Sequence, residues 1–221
     1  MAKNILDFKS NLIKGGARPN LFKVIIDFPT TLQSEKKSDL DVKTAKQRAE
    51  FLVKSAQIPA FNIGVIEVPF KGRMLKIAGD RTFDPWTVNV INEGDFGLRQ
   101  KFEMWSRDIN ALTENVSALG YTSGQNTTSS IAYCKDMYVY QYGRDNIKPE
   151  RNPSNDFNTN TTTKDTEEFI RGYKFFDAWP SSISSIDLNY ESNNQIEEFT
   201  VEFQYQYFEV INSAIDSGLT Q

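Results

Sequence analysis

Four residues just ahead of a tryptophan raise the first chemical question. Gly79, Asp80, Arg81 and Asp84 fall within six positions, followed by Trp86. Two readings fit. A glycine and an aspartate can build a turn on which the arginine is merely solvated. Alternatively, the guanidinium makes planar two-point pairs with carboxylates at a junction, the use of arginine that suits interfaces. Catalysis has little else to draw on. The chain contains no histidine. That removes the commonest general base and transition-metal ligand, and with it any Ser-His-Asp or Cys-His arrangement. Cys134 is the single cysteine, so neither an internal disulfide nor a Cys-rich zinc site can form. It lies in an apolar, aromatic run and reads as a buried thiol. The carboxylate neighbours Glu197–Glu198 and Glu167–Glu168 point opposite ways if they lie on strands, which suits solvation better than paired acid–base work. No Walker-type Gly-Lys-Ser/Thr loop or dinucleotide-binding glycine turn is present, and Gly15-Gly16 alone is a weak signal. No enzymatic activity, cofactor or metal is expected.

The rest of the composition agrees. A length of 221 residues allows one large β domain or two small ones with a sizeable core. The chain is 39% hydrophobic and 24% charged, with 16 Phe and 9 Tyr favouring strands. A formal net charge of -4 argues against a dedicated phosphate-gripping protein. It does not argue against a surface that lets DNA pass without holding it. The opening MAKNILDFKSNLIKGG lacks a continuous apolar segment, so no signal peptide is expected. No run approaches the roughly 20 apolar residues of a membrane span.

The elements that must position the charged cluster follow from periodicity. Residues 3–14 carry a weak amphipathic pattern, ended by Gly15-Gly16, and form an N-terminal arm over 1–16. LFKVIIDF at 21–28 alternates as a strand and stops at Pro29. Residues 31–50 are charged and mixed in sign, an inserted, solvated loop with room for a short helix near its end. Strands are expected at 51–58 and 61–70, then extended chain at 73–78 after the Lys71-Gly72 turn, and a clear strand at 86–91. Asp95 is placed to cap a helix over about 96–110, in which Leu98, Phe102, Trp105 and Ile109 make one apolar stripe while Arg99, Lys101, Glu103 and Arg107 occupy other faces. Polar loops are expected at about 112–130 and 145–166. Further strands are read at 131–142, at 167–178 before a break at Trp179-Pro180, and at 183–190 before a turn at Ser192-Asn193-Asn194. From Glu197 onward, Phe199, Val201, Phe203, Tyr205 and Tyr207 alternate with polar residues, so the register is strongly set. Residues 210–221 read as a tail or contact arm. The sum is mainly β, one antiparallel sandwich-like or barrel-like domain spanning 1–221 with one flanking helix.

Four of these stretches together carry a resemblance. ARPNLFKV at 17–24, AGDRTFDPWTVNVIN at 78–92, RQKFEMW at 99–105 and SNNQIEEFTVEF at 192–203 resemble the tail tube protein family of contractile-tailed bacteriophages. Tyr142-Gly143-Arg144-Asp145 and Trp179-Pro180 are similar to it as well. The resemblance implies a β-sandwich-like fold with a flanking helix. It implies six copies in a ring, with rings stacked into the inner tube of a virion tail assembled in the host bacterial cytoplasm. Strands from all subunits would line a channel for the genome. The implied partners are the tail sheath, a tape-measure protein, the baseplate hub, a tail terminator and DNA in transit, with no membrane insertion. On this reading Arg18, Asp80, Arg81, Asp84, Arg144 and Asp145 are candidate subunit-interface residues, and Glu198 and Glu202 are candidate lumen-facing residues that repel phosphate. Alternative readings are a baseplate tube initiator or the tube of a related injection machine. A different class is a carbohydrate-binding β-sandwich with Trp86, Trp105 or Trp179 as stacking platforms.

Overall fold

A computed structural model describes residues 4–12, 16–29, 32, 40–112, 133–143 and 169–212. Arg144, Asp145, the expected loops at 113–130 and 145–166, and residues 213–221 lie outside them. The chain divides into two compact units, one of residues 1–23, 139–172 and 210–221, the other of 24–138 and 173–209.

One sheet has the strand order β1-β6-β7-β8-β5-β2, with β9 also paired to β7. The strands are β1 (Phe22–Ile26), β2 (Val53–Ala56), β5 (Trp86–Ile91), β6 (Lys135–Gln141), β7 (Arg171–Ile183), β8 (Glu198–Gln204) and β9 (Tyr207–Asn212). The antiparallel pair β5–β8 sets its centre, with Trp86 opposite Phe203, Val88 opposite Val201 and Val90 opposite Phe199. All six side chains are buried. Alternation places them on one face, where helix α3 (Gly97–Ile109) covers them with Leu98, Phe102 and Trp105. The rings of Phe102 and Phe203 lie 6.1 Å apart, and Phe28 meets Phe102 at 5.2 Å and Trp105 at 5.7 Å. Trp86 stacks on Phe175 at 4.5 Å. Both buried indoles are satisfied, Trp86 donating to the Gln57 carbonyl and Trp105 to the Tyr133 carbonyl, each at 2.8 Å.

The mainly antiparallel β expectation holds, and several local readings are corrected. The short helix for which the 31–50 loop had room near its end is α2 (Val42–Leu52), which is 11 residues long and runs on into the strand expected at 51–58. Its buried Ala45 and Ala49, four apart, let it pack closely on α3. Lys101, expected on an outer face of α3, is buried, and its ammonium donates to the Leu32 carbonyl at 3.3 Å. The residue preceding α3 is Phe96, held at a φ of 54°, while Asp95 accepts from the Gly97 amide at 3.1 Å. Strand β7 runs through Trp179-Pro180, and the missing proline N–H is absorbed by a register shift between Pro180 and Ser182. Residues 184–197, read partly as a strand, are irregular. The last strand breaks at Tyr205-Gln206, so residues 207–212 of the expected strand end and tail become β9, paired with β7.

The smaller unit contains helix α1 (Ile5–Asn11), where the Asp7 carboxylate accepts from the Asn4 amide at 3.2 Å. There the Gln141 amide donates to the carbonyls of Arg18 and Leu21, both at 2.7 Å. Gly172 is required because a Cβ there would sit 2.8 Å from the Tyr140 ring.

Candidate assembly surface

Strands β3 (Asn62–Phe70) and β4 (Arg73–Thr82) form a two-stranded sheet of their own. Lys71 and Gly72 join them, at φ of 45° and 80°. Two successive positive φ values are what a tight hairpin of matching twist needs. The pairing runs from Phe70 opposite Arg73 to Val65 opposite Ala78, then shifts so that Ile63 faces Arg81. At the shift Gly64 opposes both Gly79 and Asp80, a β-bulge that bends the ribbon. Glycine is needed at both positions by close approach. A Cβ on Gly79 would meet the Gly64 carbonyl oxygen at 3.2 Å, and one on Gly64 would meet the Asp80 carbonyl oxygen at 3.3 Å.

The ribbon is apolar on both sides and covered on neither. Alternation puts Ile66, Val68 and Phe70 with Ile77 and Leu75 on one side. Val65, Pro69 and Met74 share the other with Glu67 and Lys76, whose ion pair spans 3.6 Å in the open. All of these large apolar side chains are exposed. A two-stranded hairpin alone is marginally stable in water, and contiguous exposed apolar surface of this kind marks an interaction site. Sequence reading found the strands but missed the surface. The signal was in ribbon composition: FNIGVIEVPF puts apolar residues on both parities, leaving a lone hairpin no side fit for water.

The charged cluster lies at the foot of this hairpin. Asp80 and Arg81 belong to β4 rather than to a loop. The Arg81 guanidinium stands 5.6 Å from the centre of the Phe61 ring and has no carboxylate partner among the described residues. Asp84 accepts from the Asn62 side-chain amide, so it is satisfied within the chain. Asp80 is exposed and Arg81 exposed, while Arg18 belongs to the other unit.

Glu198 and Glu202 lie on the outer, polar face of β8, as alternation requires. They are not equivalent. Lys54 holds Glu198 at 2.6 Å, whereas the Glu202 carboxylate has no ion pair among the described residues. Between them Thr200 donates to the Asn89 side-chain oxygen at 2.7 Å, and Asn89 donates to Ser55 at 2.9 Å. A second ionic centre ties α2 to the turn before α3. Arg48 donates to Glu93 at 2.9 Å and to Asp95 at 2.7 Å. The Arg48 hydrogen bond, helped by the Gly97 amide, lowers the Asp95 carboxyl to about 2. Cys134 is buried, and its thiol is pushed up to about 12, chiefly by desolvation. Among the described residues no group of three His, Cys, Asp or Glu side chains could hold a metal ion. No described helix is long and apolar enough to cross a membrane. Trp86 and Trp105 are inside the core, so neither offers a face to a sugar.

A family model described as phage tail tube protein matches residues 17–211. The chain belongs to the phage tail tube protein family. The tail tube protein gp19 of Enterobacteria phage T4 is 32% identical over 193 residues, 87% of this chain and 91% of the relative. The tail tube protein of Serratia phage KSP90 is 24% identical over 203 residues, 90% of this chain and 92% of that one. Among solved structures, a chain of the six-fold symmetrised cryo-EM structure of the anti-feeding prophage baseplate has a TM-score of 0.50 at 12% identity, covering 89% of this chain and 96% of that chain. That last likeness is one of fold. This tail tube protein is a structural protein of the virion tail. Its core is built for packing, and among the described residues the apolar hairpin is left uncovered.

Proposed function

We propose that the whole chain, 1–221, acts as one tail tube subunit, six copies of which close a ring, and that rings stack into the inner tube of a contractile tail. The single observation that carries this is the β3–β4 hairpin, an apolar ribbon with free backbone edges on an otherwise closed core. Such an edge is an aggregation hazard unless another chain completes it. Head-to-tail completion closes a ring when the rotation per subunit is right. The hollow axis then conducts the genome into the host. Arg81, Asp80, Asp84, Arg18, Arg144 and Asp145 serve the subunit junctions, and Glu198 and Glu202 face the channel. In this role the chain meets the sheath outside, a tape-measure protein and then DNA inside, and the baseplate hub and terminator at its ends, after assembly in the host cytoplasm. No step of it requires catalysis.

Negative-stain imaging of the purified full chain tests the reading. Long hollow tubes with six-fold end views are expected. Isolated rings would move the assignment to a baseplate tube initiator, and a monomer under every condition, absent from the inner cylinder of the virion, would overturn it.

A further inference from the structure

We infer that the basic tip of the β3–β4 hairpin of one copy seats in an acidic groove formed by the β7–β8 connection of a second copy. This rests on the self-assembly reading and specifies one of its contacts.

The connection, residues 184–197, contains Asp187, Glu191 and Glu197 and no lysine or arginine. It also displays Leu188, Tyr190 and Ile196 almost fully to solvent. These three border an open groove of about 550 Å³ that also takes in Ile186, Asp187 and Glu197. The loop holds its shape by its own bonds. The Asn189 side chain accepts from the Glu191 amide at 3.0 Å, the Ser192 amide donates to the Asn189 carbonyl at 3.2 Å, and Asn194 adopts a φ of 64°. Asn92 fastens the far end, its amide and side chain donating to the Glu197 carbonyl and carboxylate, both at 2.8 Å. Asp187 and Glu191 make no ion pair among the described residues. The result is a preformed groove with apolar walls, the unspent charge of Asp187 on its lining and that of Glu191 in the adjoining turn; Glu198, also on the lining, is paired with Lys54.

The hairpin tip is its complement. Phe70-Lys71-Gly72-Arg73-Met74 places two cations between two large apolar side chains, all exposed. Lys71 lies over its own Phe70 ring at 5.4 Å, and neither Lys71 nor Arg73 has a carboxylate partner among the described residues. At about 3.3 Å per residue, a strand of nine residues carries the tip roughly 27 Å from its root. The expected contacts are Arg73 in a forked pair with Asp187 or Glu191, and Phe70 and Met74 against Leu188, Ile196 and the Tyr190 ring. Tip and groove are different patches of the same chain. The contact is therefore heterologous, and it propagates from copy to copy where a two-fold contact would stop at a dimer.

The test uses the full-length chain with charges reversed on one side at a time, Lys71→Glu with Arg73→Glu, or Asp187→Lys with Glu191→Lys. Each pair should raise the critical concentration for assembly by about tenfold or more while the chain stays folded by circular dichroism. Combining all four substitutions, which restores complementarity, should bring assembly back. As an independent measure, Met74→Cys with Leu188→Cys should give an intermolecular disulfide ladder in assembled protein, Cys134 being buried. Wild-type tubes with unaffected single-side variants, a folded four-fold variant that does not assemble, or no ladder in assembled tubes would each overturn the docking while leaving self-assembly intact. Absence of any wild-type assembly would overturn both.

Discussion

Replacing Ile66 and Leu75 by threonine probes the hairpin without disturbing its strand preference. Both side chains lie on the side of the ribbon that carries no charge pair, and they are 53% and 58% exposed. Full burial of such a side chain is worth about 2 kcal/mol, so roughly 1 kcal/mol of each remains to be gained when a second copy covers it. Threonine forfeits most of that gain and adds a hydroxyl that must find a partner, bringing the loss to about 2–3 kcal/mol per added subunit. At about 1.4 kcal/mol per factor of ten, the critical concentration for tube growth should rise roughly 30- to 140-fold. The free chain has little to lose, because half of each side chain already faces water, and its melting temperature should fall by no more than about 4 °C. Sedimentation of tubes across a dilution series measures the first quantity and thermal denaturation of unassembled chain the second. An unchanged critical concentration would remove the hairpin from the interface. A melting temperature lowered by far more than expected would show that these residues pack within their own chain.

Arg81→Ala should impair tube formation with the fold intact, since among the described residues the guanidinium meets the Phe61 ring at 5.6 Å and no carboxylate; tubes of normal length by microscopy would end its junction role. Arg48→Gln should return the Asp95 carboxyl from about 2 toward its ordinary 3.8, read by NMR titration. Because the folded value is the lower one, the pair stabilises the chain above about pH 4 and the contribution disappears as pH falls toward 2, so the variant should lose less stability across that window; an Asp95 titration still near 2 would refute the assignment. Cys134 should resist thiol reagents in native protein at pH 8 and react only as fast as the chain unfolds, a fast native reaction being the contrary result. Glu198→Lys should slow genome exit more than Glu202→Lys if this face lines the channel, because it leaves Lys54, held by Glu198 at 2.6 Å, unpaired beside a second cation; equal and unchanged ejection kinetics for both would place the face elsewhere.

Alternation made much of the sheet readable in advance. Trp86–Ile91 is a strand over the residues that periodicity marks, and α3 differs from its expected span by a residue at each end. Both elements bury a regular apolar set, and burial is what periodicity reports. The misreadings have equally local causes. Helix α2 packs with Ala45 and Ala49 alone, so it shows no bulky stripe. Ile186, Leu188 and Tyr190 alternate as a strand would, but the last ladder-like bond on that side is from the Ser184 amide to the Thr200 carbonyl at 2.8 Å, and beyond it the chain turns outward. Pro180 is tolerated because a bulge removes the need for its amide hydrogen. Among the candidate site residues, the sequence marked the charged foot of the hairpin and overlooked its apolar length, since charge stands out in a motif while an exposed face does not.

The same division explains how a folded subunit can wait for its neighbours. Phe199, Val201 and Phe203 on β8, Trp86 and Val88 on β5, and Phe102 and Trp105 on α3 close a core that requires no second copy. The hairpin adds nothing to that core, and as a two-strand ribbon it gains little from its own pairing. In the proposed assembly, covering the ribbon and adding a subunit are one event. The glycine bulge at Gly64 and Gly79 fixes the bend before that event, and the Lys71-Gly72 turn fixes its end. An arm already bent to shape costs less entropy to dock than a flexible one. The bulge also disrupts the flat edge that would otherwise pair indiscriminately. A Gly79→Val chain would thus be expected to keep its core and lose its assembly, separating the two functions that the fold assigns to different strands.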